Sequence, residues 1–357
     1  MVMGLFNNKY GKSALIVLVL GLILISCVDP FRLNVNRLDG NLLVEGIVTN
    51  DQGPFRVKLS KLVSNPTETN PETGAAVIIF DSEGNQIELF EGSPGEYASA
   101  DQATFTGEVG RSYWVRIETL DGSVYQSDPE EMLPVPEIDT LYFERLVLPI
   151  LTEAGNETER QFIKVKTRFR TLPNTSNYIR YDYRGVFNLV TPMPCMMGCA
   201  FFCYVSDTSE DFLNIFESTV PTSTEIELDV IDFELDKRFS SSYQLDLRQF
   251  SMTERAFTFW QGIEDQRNNS GTIFDATPNI ILGNLRNVDD EDEQVMGYFM
   301  ASAFDNERVR ISLSDLNNLG FTTVDFYPEC DLTPPAAVCI NCLAFPGAGR
   351  DAIEIEW

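Results

Sequence analysis

The sequence predicts a mainly β chain: a β-sandwich in its first third, then a second β-rich domain with one embedded α-helix. Three observations carry this. Apolar and polar residues alternate in short runs, as with Phe55, Val57 and Leu59 against Arg56, Lys58 and Ser60, the signature of a half-buried strand. Turn signals recur about every 8–12 residues, the spacing of sandwiches and barrels. Helical spacing shows clearly in one stretch only, after Ser251.

The chain opens on a leader. Lys9 and Lys12 precede an apolar run over 14–25, and the small Ser26 stands before Cys27. A basic region, an apolar region and a small-residue cleavage site describe a secretory signal, and a dozen apolar residues fall short of the roughly 20 that span a bilayer. The end, Leu24-Ile25-Ser26-Cys27, resembles the bacterial lipoprotein box. The resemblance implies cleavage before Cys27 and lipidation of its sulfur. Residues 1–26 are then the signal peptide and 27–40 a tether.

From residue 41 the pattern is β. The run Leu42-Leu43-Val44-Glu45-Gly46-Ile47-Val48-Thr49 turns through Asn50-Asp51-Gln52-Gly53-Pro54 into the alternating 55–62, a hairpin. After an Asn-Pro-containing loop at 63–74 come Ala75 to Phe80, the turn Ser82-Glu83-Gly84-Asn85, and 86–90. Gly95-Glu96-Tyr97, the 107–118 run, the turn at 120–123 and 124–127 complete the unit. The order Gly-Ala-x-Val, Gly-Asn, Gly-x-Tyr, Gly-x-x-Tyr-x-Val resembles prealbumin-like domains of the carboxypeptidase regulatory type. Residues 41–128 are therefore expected as an immunoglobulin/prealbumin-like sandwich, and proline-rich 129–136 as a stiff linker.

Residues 137–357 are expected as the second domain, with strands at 138–148, 160–172, 178–190, 226–231 and 243–250. Its helix is expected over 251–268, with Ser251 as N-cap and Glu254 reaching back in a capping box. Phe257, Trp260 and Ile263 follow at helical spacing. Such a stripe packs against a sheet, and Trp260 is the one candidate for ligand stacking.

Composition excludes several functions. There is no histidine, so Ser-His-Asp and Cys-His mechanisms are absent along with the commonest zinc ligand. With 54 acidic residues, neighbouring carboxylates carry no catalytic information, so no catalytic residue is assigned and the chain is read as non-enzymatic, with no cofactor. Loss of the leader's two lysines takes the net charge from −28 to −30, which disfavours nucleic acid and anionic surfaces. Apart from Cys27, six cysteines remain: Cys195, Cys199, Cys203, Cys330, Cys339 and Cys342. In an exported chain an even number reads as disulfides, with the pairing open. Asp289, Asp290 and Asp292 lie in the acidic run 289–293 and offer oxygen ligands suited to calcium, but without the alternation that wraps an ion. A solvated hairpin tip is the better reading.

The lipobox, the opening 42–50, Phe257-Thr258-Phe259-Trp260 leading to Gly283-Asn284, Gly297-Tyr298-Phe299-Met300-Ala301-Ser302, and the tail Cys339-Ile340-Asn341-Cys342 with Trp357 resemble one family. It is a Bacteroidota outer-membrane lipoprotein family known only as a domain of unknown function, numbered four-two-four-nine. The resemblance implies a lipoprotein that accompanies a TonB-dependent β-barrel transporter and assists substrate capture or gating. A structural or adhesive surface lipoprotein is the alternative, and a carboxylate-based hydrolase a more distant one. Surface-exported lipoproteins of that phylum tend to carry an acidic cluster after the cysteine; here only Asp29 and Arg32 follow. Outer-membrane anchoring is thus expected, with the surface face favoured.

Overall fold

The computed structural model describes residues 40–63, 69–100, 106–151, 155–193, 200–208, 212–268, 280–321 and 326–353. The first unit contains β1 (Leu42–Thr49), β2 (Arg56–Leu62), β3 (Thr69–Pro71), β4 (Ala76–Asp81), β5 (Gln86–Ser93), β6 (Glu96–Ala98), β7 (Ser112–Glu118), β8 (Val124–Ser127) and β9 (Glu130–Glu131). In β2, Val57 and Leu59 are buried while Arg56 and Lys58 are exposed, as the alternation requires. Asp81 shapes the turn after β4 by accepting hydrogen bonds from the Glu83 and Asn85 amides and the Asn85 side chain, an Asx-type turn.

The second unit contains β10 (Ile138–Leu151), β11 (Glu157–Arg170), β12 (Asn177–Val190), β13 (Phe202–Asp207), β14 (Asn214–Ser218), β15 (Glu225–Glu234) and β16 (Ser242–Ser251). Helix α1 (Glu254–Asn268), β17 (Leu285–Asn287), β18 (Met296–Ser302), β19 (Phe304–Ser312) and helix α2 (Leu313–Asn318) follow. Sheet β10-β11-β15 faces sheet β13-β12-β16-β19, with β14 paired to β12. Between them lies a core of Ile163, Val165, Phe169, Tyr181, Tyr183, Phe187, Phe233, Tyr243, Leu245 and Leu247.

Two strands cross the expected boundary. β17 and β18 lie in the second half of the chain, yet both belong to the first unit's sheet, whose order is β17-β8-β7-β4-β5-β6-β2-β1-β18. β18 runs parallel to β1, with Gly46 opposite Phe299. Its residues are buried on both faces, and such a strand reads as a continuous apolar run. The two ends of this path are consecutive in the chain and meet through a bridge between Leu282 and Met296, so the sandwich curls almost into a barrel. The Asn284 side chain finishes the seam. Its Nδ2 donates to the Phe299 carbonyl at 2.8 Å and its Oδ1 accepts the Phe299 amide at 2.9 Å. The backbones approach closely here: a Cβ on Gly283 would lie 1.5 Å from the Gly297 carbonyl oxygen. Gly297 itself has φ +87° and sits against the Val44 carbonyl, a conformation open to glycine and strained for other residues.

The 129–136 stretch is also more than a spacer. β9 pairs with β7, Met132 is buried, and the carbonyls of Leu133 and Pro136 accept hydrogen bonds from Ser251 and Gln249. Its backbone is hydrogen-bonded into both units.

The helix begins later than expected. Ser251 is the last residue of β16 and its hydroxyl serves Leu133 and Ala303. Thr253 caps instead, its Oγ1 accepting the Ala256 amide at 3.2 Å. Phe257 of the expected stripe lies 5.0 Å from Tyr178, and Phe259, outside that stripe, lies 4.9 Å from Tyr298, centroid to centroid.

Replacing Asn284 by Ala would strand the buried amide and carbonyl of Phe299, at about 1–3 kcal/mol for each unsatisfied group. Chemical denaturation should therefore show a loss of stability, and unchanged stability would mean that the seam is not closed by this side chain.

Candidate functional site

Cys27, Cys195 and Cys199 lie outside the described residues. The other four cysteines form two disulfides, Cys203–Cys342 and Cys330–Cys339. The Cys339-x-x-Cys342 pair is thus split between two bridges. Cys203–Cys342 fastens the C-terminal segment to β13, where Tyr204 and Gly349 also pair.

Trp260 is half-buried. Its Nε1 donates to Met300 Sδ at 3.1 Å, and its ring lies 4.7 Å from the Arg180 guanidinium. The indole is engaged by the protein itself, in a cation–π arrangement. Asp289, Asp290 and Asp292 are exposed. The Asp289 and Asp290 amides donate to Asn287 Oδ1, and the Asp292 amide donates to Asp290 Oδ1 at 3.0 Å. Among the described residues no group of three metal-ligating side chains converges.

A buried polar network ties the two units together. Glu130, at 3% exposure, accepts hydrogen bonds from Tyr298 Oη at 2.5 Å and Thr253 Oγ1 at 2.6 Å. Nearby, Asp128 pairs with Arg255 and Arg286. Burial, reinforced by the Glu130 carboxylate, pushes the Tyr298 phenol well above its usual range. The network joins β9, the start of α1 and β18 with its hydrogen-bonding groups mutually satisfied, the expectation for a structural joint.

Two sheet faces of the second unit carry charge, and they differ. The outer face of β10-β11-β15 is balanced. Arg160 pairs with Glu234, Lys164 with Asp229, Lys166 and Arg168 with Glu227, and Arg170 with Glu225. Hydrogen bonds from Lys166, Arg168 and Tyr142 hold the Glu227 carboxyl at about 2.

The outer face of β12-β16-β19 is rich in arginine. Cross-strand register places Arg180, Phe250 and Phe304 in one row, Asp182, Arg248 and Asn306 in the next, and then Arg184, Asp246 and Arg308. A fourth row holds Val186, Gln244 and Arg310. Five arginines share this face with two aspartates, in a chain of net charge −28. Asp246 is fully buried and takes Arg308 Nε and Asn306 Nδ2. Arg248 lies 4.0 Å over the Phe304 ring. Burial draws its guanidinium down to about 10, repulsion from Arg184 adding to the effect and Asp51 and Asp246 opposing it. Burial lowers Arg184 and Arg180 as well, and Arg56 repels Arg184. The Nε of Arg180 is buried without a hydrogen-bond partner. The β1–β2 turn borders the face, since Asn50 Oδ1 accepts the Phe304 amide at 2.9 Å. Depressed charged groups gathered on one surface mark a candidate functional site.

Sequence reading missed this face. Its signal is present as Arg180-x-Asp182-x-Arg184, Asp246-x-Arg248 and Arg308-x-Arg310, each outward at period two. What the sequence hides is that the three strands are neighbours.

The family described as Domain of unknown function (DUF4249) matches residues 28–308. No curated protein matches the chain. Among solved structures, the chain is similar to "Biofilm associated protein - BSP domain" at 6% identity and a TM-score of 0.14. That alignment covers 76% of this chain and 59% of the other, so the chain spans less than two thirds of that structure's length. A score so low carries no argument.

Two outcomes follow from this geometry. Cys203–Cys342 has a sequence separation of 139 and Cys330–Cys339 one of 9, so the chain-entropy relation makes loss of the first costlier by about 2 kcal/mol. Denaturation of Cys342→Ser and Cys330→Ser, each with its partner cysteine also replaced, checks the order; equal losses would contradict it. The Glu227 carboxyl, held below its ordinary 4.5, contributes stability fully above that value and loses the contribution as pH falls towards 2. A carboxyl NMR titration should find its midpoint near 2, against an ordinary midpoint if the ladder is not formed.

Proposed function

The chain belongs to the family described as Domain of unknown function (DUF4249), and from that premise we propose a lipid-anchored outer-membrane protein acting as a non-enzymatic accessory. In this reading it docks on a TonB-dependent β-barrel and assists substrate capture or gating. The observation that carries it is the leader: Lys9 and Lys12, the apolar run, and Leu24-Ile25-Ser26-Cys27. Lipid on Cys27 would hold the folded units beside other proteins of the same membrane, where a short tether raises the effective concentration of a partner.

Two features support binding rather than turnover. The arginine face is broad and partly exposed, with Arg308 and Arg310 open to solvent, which suits a protein surface more than an enclosed substrate. The Glu130 joint links the units through satisfied hydrogen bonds, which suits a scaffold that presents one face relative to another.

Metabolic labelling with a fatty-acid analogue should mark the wild-type protein and leave Cys27→Ser unlabelled and released from the membrane fraction. Affinity purification of the lipidated protein from native membranes in mild detergent should return a β-barrel in stoichiometric amount. An unlabelled wild type would remove the anchor. Repeated recovery of the bait alone would remove the accessory role, and a deletion that impairs attachment while nutrient uptake stays normal would favour the adhesive alternative.

A further inference from the structure

We propose that the outer face of β4, β5, β7 and β8 binds a neutral polysaccharide, an extended β-1,4-linked chain whose sugar rings stack on Phe80 and Trp114. The proposal deepens the accessory reading, on which its biological purpose rests, by naming the class of substrate captured.

The first ground is that this face departs from the pattern of its sheet. Val77, Ile79, Leu89, Val115 and Ile117 build the first core, so by alternation Ile78, Phe80, Glu88, Phe90, Trp114 and Arg116 point outward. The outer face of an antiparallel sheet is ordinarily polar. Here register sets Phe80 opposite Trp114, with Ile78 opposite both Arg116 and Glu88. Ile78, Phe80 and Trp114 are half-buried, and Phe90 is 61% exposed. None of these four belongs to a core cluster among the described residues.

The second ground is the arrangement of the rings. Phe80 and Trp114 lie 10° from parallel with centroids 5.8 Å apart, comparable with the length of one sugar in an extended chain. Successive pyranose rings therefore meet them in one orientation, C–H face against aromatic face. Trp260 differs, because its N–H is donated to Met300 and its ring lies against Arg180. Among the described residues no cation lies over Phe80 or Trp114, and the Trp114 N–H has no acceptor.

The third ground is hydrogen bonding. Gln86 stands beside Phe80, Glu88 and Arg116 flank Ile78, and Gln126 lies opposite Arg116. Their side chains make no hydrogen bond or ion pair among the described residues. Amide, carboxylate and guanidinium groups together offer donors and acceptors, and sugar hydroxyls answer both. A protein partner would instead bury these polar ends in the middle of the patch, where interface cores are depleted of charge. Arg116 is set against Glu88 and Glu118, so the face has no positive excess and suits a neutral chain. Gln86, Glu88 and Arg116 are exposed; an open face of this kind takes the ribbon of a β-1,4-linked chain rather than the coil of an α-1,4-linked one.

The test is isothermal titration calorimetry of the full-length lipidated chain in detergent with cellohexaose, xylohexaose and β-1,4-mannohexaose, and maltohexaose as the coiled control. Saturable binding of at least one β-1,4-linked hexaose is expected, with maltohexaose weaker. Trp114→Ala should abolish it, and Arg116→Ala, at an exposed site, should weaken it about tenfold, the scale of one hydrogen bond to a charged group. Trp260→Phe should leave it unchanged, and thermal melts of the variants should match wild type. If Trp114→Ala melts early, Arg116→Ala alone decides. No binding of the three hexaoses, binding insensitive to Arg116→Ala, equal loss in Trp260→Phe, or maltohexaose bound as tightly would overturn the proposal. Absence of sugar binding together with loss of a co-purified barrel in Trp114→Ala would overturn it in favour of a protein contact. Hexaose binding is measured without the barrel, so this proposal and the accessory reading can each fail alone.

Discussion

The Asn284 amide bonds both backbone groups of Phe299, standing in for the next residue of a strand where the sandwich would otherwise gape. Around it, Gly283 and Gly297 let two backbones come within a distance that no side chain would permit. Much of the molecule depends on this seam. It holds β18 against β1, and β18 in turn presents Phe299 and Ala301 to the first core and Tyr298 and Met300 to α1. From Ser302 the chain passes through Ala303 directly into β19, the strand that carries Arg308 and Arg310. A strand of the first sheet thus continues as a strand of the second, and the two units share one stretch of backbone.

Charge is distributed in keeping with that division of labour. At the joint, Glu130 is buried but satisfied by two hydroxyls, and Asp128 by two arginines. On β11 every named cation meets a carboxylate. The face of β12-β16-β19 gathers five arginines, and burial lowers Arg180, Arg184 and Arg248 alike.

Local structure was largely legible in the sequence, because period-two alternation and turn residues act over a few positions. β2, the Asp81 turn and the aromatic packing of α1 all follow from such short-range signals. Long-range pairing was not. Nothing local in Met296–Ser302 says that its neighbour is β1, about 250 residues earlier; its unbroken apolar character says only that both faces are covered. The same blindness misassigned the helix cap, since Ser251 satisfies the capping pattern yet is claimed by β16 and by Leu133. It also hid the arginine face, whose three strands are adjacent only in space. Gly283, Asn284 and Gly297 are among the residues that carry the family resemblance, and the seam supplies their physical reason.

Native-state hydrogen exchange on the amides of β1 and β18 tests the shared-backbone arrangement most directly. If β18 is an integral strand of the first sheet, the amides of Gly46 and Phe299 should exchange with a common opening free energy, close to that of global unfolding. Early exchange across Met296–Ser302 while β1 to β8 stay protected would contradict it, and would make the sandwich complete without its returning strand.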